Sequence, residues 1–149
     1  IKKSPADLSI LIEEIVHLYK SYKGIEINTT IPDNIPKAEV DEEQFKRVLI
    51  NIFENAIQAM PDGGQIHIAL DHDEMDTKAY IHITDNGPGI SDADKEKLFL
   101  PYFSTKTNGT GLGLAIAHRI ISEHGGHIRI KNNEPHGTIF TIEIPIKER

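Results

Sequence analysis

Apolar residues recur along this chain in two periods. Leu8, Leu11, Ile12, Ile15, Val16 and Tyr19 fall at helical spacing. Ser4-Pro5-Ala6-Asp7 before them reads as a helix start, with Ser as the cap, Pro at the first helical position and an acid three residues on. Gly24 closes that segment, and Ile25, Ile27 and Thr29 then alternate with polar residues, as in a half-buried strand. After a loop from Pro32 to Pro36, a second helix is predicted from Asp41 to Met60, stopped by Pro61-Asp62-Gly63-Gly64. Two strands follow, Gln65–Asp71 and Ala79–Asp85, joined by the polar stretch 72–78 and expected to pair antiparallel. Asp92–Phe99 reads as a short helix, Leu100–Thr110 as a mobile loop, Gly111–Glu123 as a helix, and His127–Lys131 and Thr138–Ile144 as the last two strands. Helices and strands interleave without regular βαβ crossovers. The expected class is α+β: a two-layer sandwich of one mixed sheet with helices on one face.

Along 41–60 the helical projection separates two faces. Phe45, Val48, Leu49, Ile52, Phe53, Ala56, Ile57 and Met60 form one, at about 40° to 220° from Gln44 when each residue turns by about 100°. Gln44, Arg47, Asn51, Glu54, Asn55 and Gln58 form a narrow polar stripe at about 280° to 20°. A solvated face is usually rich in Lys and Glu, whereas Asn is a poor helix former. Two Asn one turn apart in mid-helix therefore point to a ligand for those amides. A neutral carbonyl oxygen beside a polyphosphate suits Mg²⁺, which wants six oxygens and takes much of its charge compensation from nucleotide phosphates.

Three glycine segments follow. In Asp85-Asn86-Gly87-Pro88-Gly89-Ile90, the bland reading is a turn leaving a sheet. The functional one is that Asp85 accepts from an exocyclic amine of a base while Gly87 and Gly89 let the backbone approach the ligand. In Asn108-Gly109-Thr110-Gly111-Leu112-Gly113-Leu114, glycines at a helix N-terminus offer free N–H groups and the helix dipole to a phosphate. This segment is neither a P-loop nor a dinucleotide fingerprint. Gly137-Thr138 before the last strand is an ordinary turn when taken alone.

Composition narrows the partners. The chain has 149 residues and 16.7 kDa, the size of one domain. With 38% hydrophobic and 26% charged residues it fits a soluble globular class. The net charge of −7 argues against nonspecific binding to nucleic acid or anionic membranes. It leaves nucleotides open, because local backbone N–H groups can hold phosphate on an acidic protein. There is no Cys, so thiolate metal sites and disulfides are excluded. No apolar run approaches the roughly 18–20 residues needed to span a bilayer, and no signal-peptide pattern is present. The chain opens on Ile1, which reads as a piece of a longer, cytoplasmic or membrane-anchored protein.

Together and in this order, the segments resemble the catalytic domains of sensor histidine kinases, members of the GHKL superfamily with the Bergerat-type ATP-binding fold. Asn51-Ile-Phe-Glu-Asn55-Ala56 resembles the N box and Asp85-Asn-Gly-Pro-Gly89 the G1 box. Leu98-Phe-Leu-Pro101-Tyr-Phe103 resembles the F box, Gly109-Thr-Gly-Leu-Gly113-Leu114 the G2 box and Gly137-Thr138 the third glycine motif. Pro101-Tyr-Phe-Ser-Thr-Lys106 is similar to nitrogen-regulation-type sensors. The resemblance spans essentially the whole chain.

It implies ATP and Mg²⁺ as ligands. Asn55 would hold the metal, with Asn51 beside the phosphates and Asp85 on the adenine amine. Gly87, Gly89 and Ile90 would shape the base pocket. The backbone of Thr110, Gly111, Leu112, Gly113 and Leu114 would meet the phosphates, Lys106 would reach them as a point charge, and Thr138 would sit near adenine through water. Gln58 stands where many members carry a basic residue.

The ATPase relatives place a Glu four residues before the metal Asn. Asn51 here cannot usefully accept a proton, so hydrolysis should be slow and the chain should hold the γ-phosphoryl group for another acceptor. Glu54 is the other candidate base, and its place at the edge of the stripe favours a solvated or lid-facing role. Eight His are present, at 17, 67, 72, 82, 118, 124, 127 and 136. Only His72-Asp73-Glu74-Met75 faintly resembles the family's acceptor motif, and it reads as a hairpin loop. The acceptor His is therefore expected on a separate helical dimerisation domain, with a response regulator downstream and this piece monomeric. The rival readings are a GHKL ATPase, an anti-sigma-type serine kinase, and a non-catalytic interaction module of the same fold.

Overall fold

The fold is described from a computed structural model, which describes residues 1–75, 77–101 and 113–146. The element order is β1 (Ser4–Ala6), α1 (Leu8–Tyr19), β2 (Ile25–Thr30), β3 (Ala38–Val40), α2 (Glu42–Ala59), β4 (Gly64–His72), β5 (Lys78–Asp85), α3 (Asp92–Lys97), α4 (Gly113–Glu123), β6 (His127–Asn132) and β7 (Thr138–Pro145).

Two acids start the first two long helices. Asp7 Oδ1 accepts from the N–H groups of Ser9 and Ile10, and Asp41 Oδ1 accepts from Gln44 N. Glu42 and Glu43 then place negative charge in the first turn of α2, where the helix dipole favours it. The expectation that Ser4 caps α1 is corrected here. Residues 4–6 form β1, antiparallel to β3 with Ser4 opposite Val40, and the cap moves to Asp7. The apolar period begins at Leu8, and Asp7 is the polar residue immediately before it.

The main sheet has five strands in the order β2-β4-β5-β7-β6. Only β2 and β4 pair in parallel, so the sheet is mixed as expected. Its three central strands, β4, β5 and β7, alternate between buried and more exposed positions over most of their length. Ile66, Ile68, Leu70, Ala79, Ile81, Ile83, Phe140, Ile142 and Ile144 are buried against the helices. The opposite face carries His67, Asp71, Tyr80, His82 and Thr141. One covered face and one polar face is the two-layer arrangement that the patterning predicts.

α2 lies in the middle of the helical layer, against α4 and α1. Its predicted apolar stripe is the core: Phe45, Val48, Leu49, Ile52 and Phe53 are fully buried. Each such side chain contributes about 1.5–3 kcal/mol of burial free energy, which fixes the rotation of α2 and hence where its polar stripe points.

Candidate functional site

The polar stripe of α2 meets the start of α4. Asn51 Nδ2 donates to the carbonyl oxygen of Gly113 at 2.9 Å, joining elements 62 residues apart. Asn51 and Asn55 are both half-buried, while Gln58 is exposed. Leu114 turns its side chain into the core, leaving the backbone of this first turn of α4 beside Asn51.

Glu54 faces elsewhere. Its Oε1 accepts from the Tyr19 hydroxyl at 2.7 Å, across the α1–α2 contact. Burial, and then the hydrogen bond to Glu54, push the Tyr19 phenol well above the usual tyrosine range. The Tyr19 ring packs against Phe53, so the pair is part of the seam between the two helices.

The second half of the site is the end of β5. Asp85 is the last residue of that strand and only 3% exposed. Its Oδ1 accepts from Gly87 N at 2.9 Å. Strand register sets it opposite Ile66 on one side and Thr138 on the other, and Thr138 is itself buried. The loop after Asp85 runs against the turn between β6 and β7. Ile90 N donates to Asn132 Oδ1 at 3.3 Å. His136 Nδ1 lies 2.9 Å from the Asn86 carbonyl oxygen and 3.3 Å from that of Gly87. Both partners are acceptors, so Nδ1 carries the proton.

Two glycines make this contact possible. Gly137 has φ +118°, and a Cβ there would overlap the Asp85 carbonyl oxygen. Gly89 has φ +84° and would bring a Cβ to 3.1 Å from the Gly137 carbonyl oxygen.

The C-terminal end of α2 closes the same region. Met60 and Ala59 lie against Gly87, and Asn86 Oδ1 accepts from Gln65 N at 2.8 Å at the start of β4. A cavity of about 320 Å³ opens here, bordered by Met60, Asp62, Asn86, Pro88 and His136. A groove of about 830 Å³ runs between α1 and α2 past Ile10, Leu18 and Ile50. It includes neither the Asn pair nor Asp85, so volume alone does not mark the site.

The family model for histidine kinase-, DNA gyrase B- and HSP90-like ATPases matches residues 40–148, from the strand before α2 to near the chain's end. The chain belongs to this family. Sensor histidine kinase ZraS of Escherichia coli K12 is 36% identical over 143 residues, covering 94% of this chain and 30% of ZraS. The adaptive-response sensory kinase SasA of Prochlorococcus marinus MIT 9303 is 35% identical over 148 residues, covering 95% of this chain and 40% of SasA. The chain thus spans about a third of the length of these curated relatives. The solved catalytic domain of histidine kinase ThkA superposes with a TM-score of 0.87 at 38% identity, covering 98% of this chain and 97% of that one. ThkA has also been solved in complex with a response regulator, TrrA; that match has a TM-score of 0.83 at 34% identity and covers 97% of this chain and 42% of ThkA. The chain is therefore a catalytic domain of the histidine-kinase type within this family.

The sequence-predicted residues fall into groups. Asn51 meets Gly113, and Asn55 follows one turn later on the same helix. Asp85, Gly87, Gly89, Ile90 and Thr138 gather at the β5–β7 junction. Leu98 of the F box is buried, and Phe99 packs its ring 5.0 Å from that of His118. Lys106, Thr110, Gly111 and Leu112 lie outside the described residues, as do Tyr102 and Phe103 of the F box and positions 102–110 of the loop expected to be mobile. His72 ends β4, and Asp73 beside it accepts from Thr77 N and Lys78 N, a hairpin turn as expected. Sequence reasoning did not find Asn132 and His136. No local pattern marks them, because their partners lie 42 to 50 residues away.

Proposed function

We propose that this domain binds ATP with Mg²⁺ and donates the γ-phosphoryl group to a histidine on a separate helical dimerisation domain, in two-component signalling. The reading is carried by the Asn51–Gly113 contact, which puts an amide, and no carboxylate, where the α2 stripe meets the start of α4.

Asp85 is the acceptor for the adenine amine, buried at the end of a core strand so that its carboxylate competes little with water. Gly87, Gly89 and Ile90 form the base pocket beside it, and Thr138 reaches the base through water. The backbone from Thr110 to Leu114 and the N-terminus of α4 receive the phosphates, with Lys106 as a point charge. Gln58 extends the stripe as a neutral contact.

Among the described residues, no group of three His, Asp or Glu side chains could hold a metal by itself. An Asn55 carbonyl oxygen beside a triphosphate fits Mg²⁺, because the nucleotide supplies most of the charge. When bound, that ion would neutralise charge developing on the phosphate oxygens.

Transfer forms a bond from an imidazole nitrogen of the acceptor to the γ-phosphorus and breaks the bond to the β,γ-bridging oxygen, which leaves with ADP. The imidazole proton goes to a base outside this chain. Asn51 accepts no proton from water, so hydrolysis stays slow and the phosphoryl group is kept for the acceptor. Glu54 is committed to Tyr19 and acts in the α1–α2 seam rather than as a base.

We take residues 1–149 as one catalytic domain whose partners are the acceptor-His domain and a response regulator; the solved complex of ThkA with the response regulator TrrA supports the second partner. No helix among the described residues is long and apolar enough to cross a membrane. A cytoplasmic monomer attached in its parent to other domains is the arrangement we favour. The test is to mix the domain with labelled ATP and a separately produced acceptor-His helical domain. Acid-labile phosphate should appear on the helical domain and not on this chain. Label on this chain alone, or rapid phosphate release with no transfer, would overturn the reading.

A further inference from the structure

We infer that His136 is a positioning residue for base recognition, acting through one peptide unit on the Asp85 carboxylate. The inference rests on the proposed role of Asp85 as the adenine acceptor.

The peptide between Asn86 and Gly87 is gripped at both of its polar atoms. Its carbonyl oxygen accepts from His136 Nδ1 at 2.9 Å. Its N–H, that of Gly87, donates to Asp85 Oδ1 at 2.9 Å. These two atoms point to opposite sides of a planar unit, so fixing one fixes the other. His136 also donates to the Gly87 carbonyl at 3.3 Å, a three-centre contact that holds the next peptide as well. The rotation of the Asp85 carboxylate, set by its bond to Gly87 N, thus depends on an imidazole 51 residues further along the chain.

The turn that carries His136 is braced for this task. Asn133 N donates to the Gly137 carbonyl at 3.0 Å, and Asn133 Nδ2 to that of His136 at 3.4 Å. Asn132 holds Ile90 N, the far end of the same loop. His136 is itself exposed and lies outside the core cluster, so packing does not account for its place. A side chain that contributes little to the core yet spans two consecutive carbonyls acts on loop geometry. Adenine presents an amine where guanine presents a carbonyl oxygen. A carboxylate held in one rotation discriminates between them, because the wrong base sets two acceptors face to face.

The test compares His136→Ala with His136→Asn, whose side-chain N–H reaches about as far as Nδ1. ATP and GTP binding are measured by calorimetry, and Gly87 amide exchange by NMR on the nucleotide-free protein. His136→Ala should weaken ATP by about three- to ten-fold, the range expected for one lost hydrogen bond, and leave GTP unchanged. It should also speed Gly87 exchange, with no more than a small fall in melting temperature. His136→Asn should restore both the selectivity and the protection. Equal losses for ATP and GTP, wild-type ATP binding by His136→Ala, or no rescue by His136→Asn would overturn the inference. If the wild-type domain shows no preference for ATP, the proposed function fails instead. The clamp is then judged by Gly87 exchange alone, and unchanged exchange in His136→Ala would refute it.

Discussion

Asn51 donates its side-chain N–H to the carbonyl oxygen of Gly113 at 2.9 Å, so the first turn of α4 is tied to mid-α2 by a donor that a carboxylate does not supply. A carboxylate there would set two acceptor oxygens against each other. Asn51→Ala should cost about 1 kcal/mol of stability through the lost bond, and Asn51→Glu about 1–3 kcal/mol, because a carboxylate oxygen then faces the Gly113 carbonyl in place of a donor. Where Asn51→Glu folds, it should hydrolyse ATP faster, by up to about 10²-fold, the low end for an added general base. Glu54→Ala should leave hydrolysis unchanged. Urea unfolding and phosphate release check both halves, and the opposite pattern would return Glu54 to the chemistry.

Tyr19→Phe removes the donor to Glu54 and should destabilise the α1–α2 seam by about 1 kcal/mol while nucleotide binding stays as in the wild type. Tyr19 also predicts an alkaline signature. Its folded-state pKa is raised, so the stability it contributes is complete below the unfolded value of about 10 and is lost as pH rises through the folded one. Spectrophotometric titration should show one late-ionising phenol fewer in Tyr19→Phe than in the wild type. A loss of ATP affinity in Tyr19→Phe would mean that Glu54 works toward the nucleotide.

Asp85 is both a structural acceptor and the proposed base contact, and two substitutions separate these duties. Asp85→Asn keeps an oxygen for Gly87 N but loses the charge. It should melt near the wild-type temperature and bind ATP at least about ten-fold more weakly, as expected when a charged hydrogen bond becomes neutral. Asp85→Ala leaves a buried N–H unpaired and should lose about 1–3 kcal/mol of stability in addition. Calorimetric binding beside thermal melting distinguishes them, and unchanged affinity in Asp85→Asn would remove Asp85 from base recognition.

Gly137→Ala tests the junction by sterics alone. The backbone there has φ +118°, and a Cβ would overlap the Asp85 carbonyl oxygen. Strain from that conformation costs about 1–3 kcal/mol before the overlap is counted. The variant should be less stable by at least that amount, and the β5–β7 pairing at Asp85–Thr138 should open first in hydrogen exchange. Wild-type stability would show that the turn tolerates another conformation.

Long periodic elements were legible in the sequence for physical reasons. The apolar stripe of α2 and the alternation of β4, β5 and β7 are what burial on one face requires, and the structure buries those residues. β1 and β3 were not legible, since three residues are too few for a period to register. Helical spacing sets Glu54 at the edge of the polar stripe and Tyr19 on an apolar face, but spacing does not show that the Tyr19 hydroxyl decides where Glu54 points. The glycine segments were readable as backbone requirements. What braces them was not, because Asn132 and His136 act through folded proximity and carry no local signature.

The far ends of α2 and α4 meet at Asp41, which predicts part of the acid limb of stability. Asp41 N donates to His124 Nε2 at 3.0 Å, and His124 Nδ1 lies 2.7 Å from the Ile120 carbonyl, so the buried imidazole accepts at Nε2 and donates at Nδ1. The Asp41 carboxylate accepts from Lys2 N and Gln44 N, and these two bonds, Lys2 first, hold it below the usual carboxylate range. A lowered folded-state pKa means that the native chain resists protonation. The stability this confers is complete above the unfolded value of about 4 and fades as pH falls through the folded one. Asp73 is held low as well, by the Thr77 hydroxyl first, so the wild-type acid limb is a sum of contributions. Asp41→Asn keeps one acceptor oxygen for the cap but cannot titrate. It should melt slightly lower than the wild type at pH 7 and fall less steeply below about pH 4. Subtracting the two melting curves isolates Asp41. A difference that stays constant from pH 7 to pH 2 would assign the acid limb to Asp73 and the other carboxylates, leaving Asp41 as a cap alone.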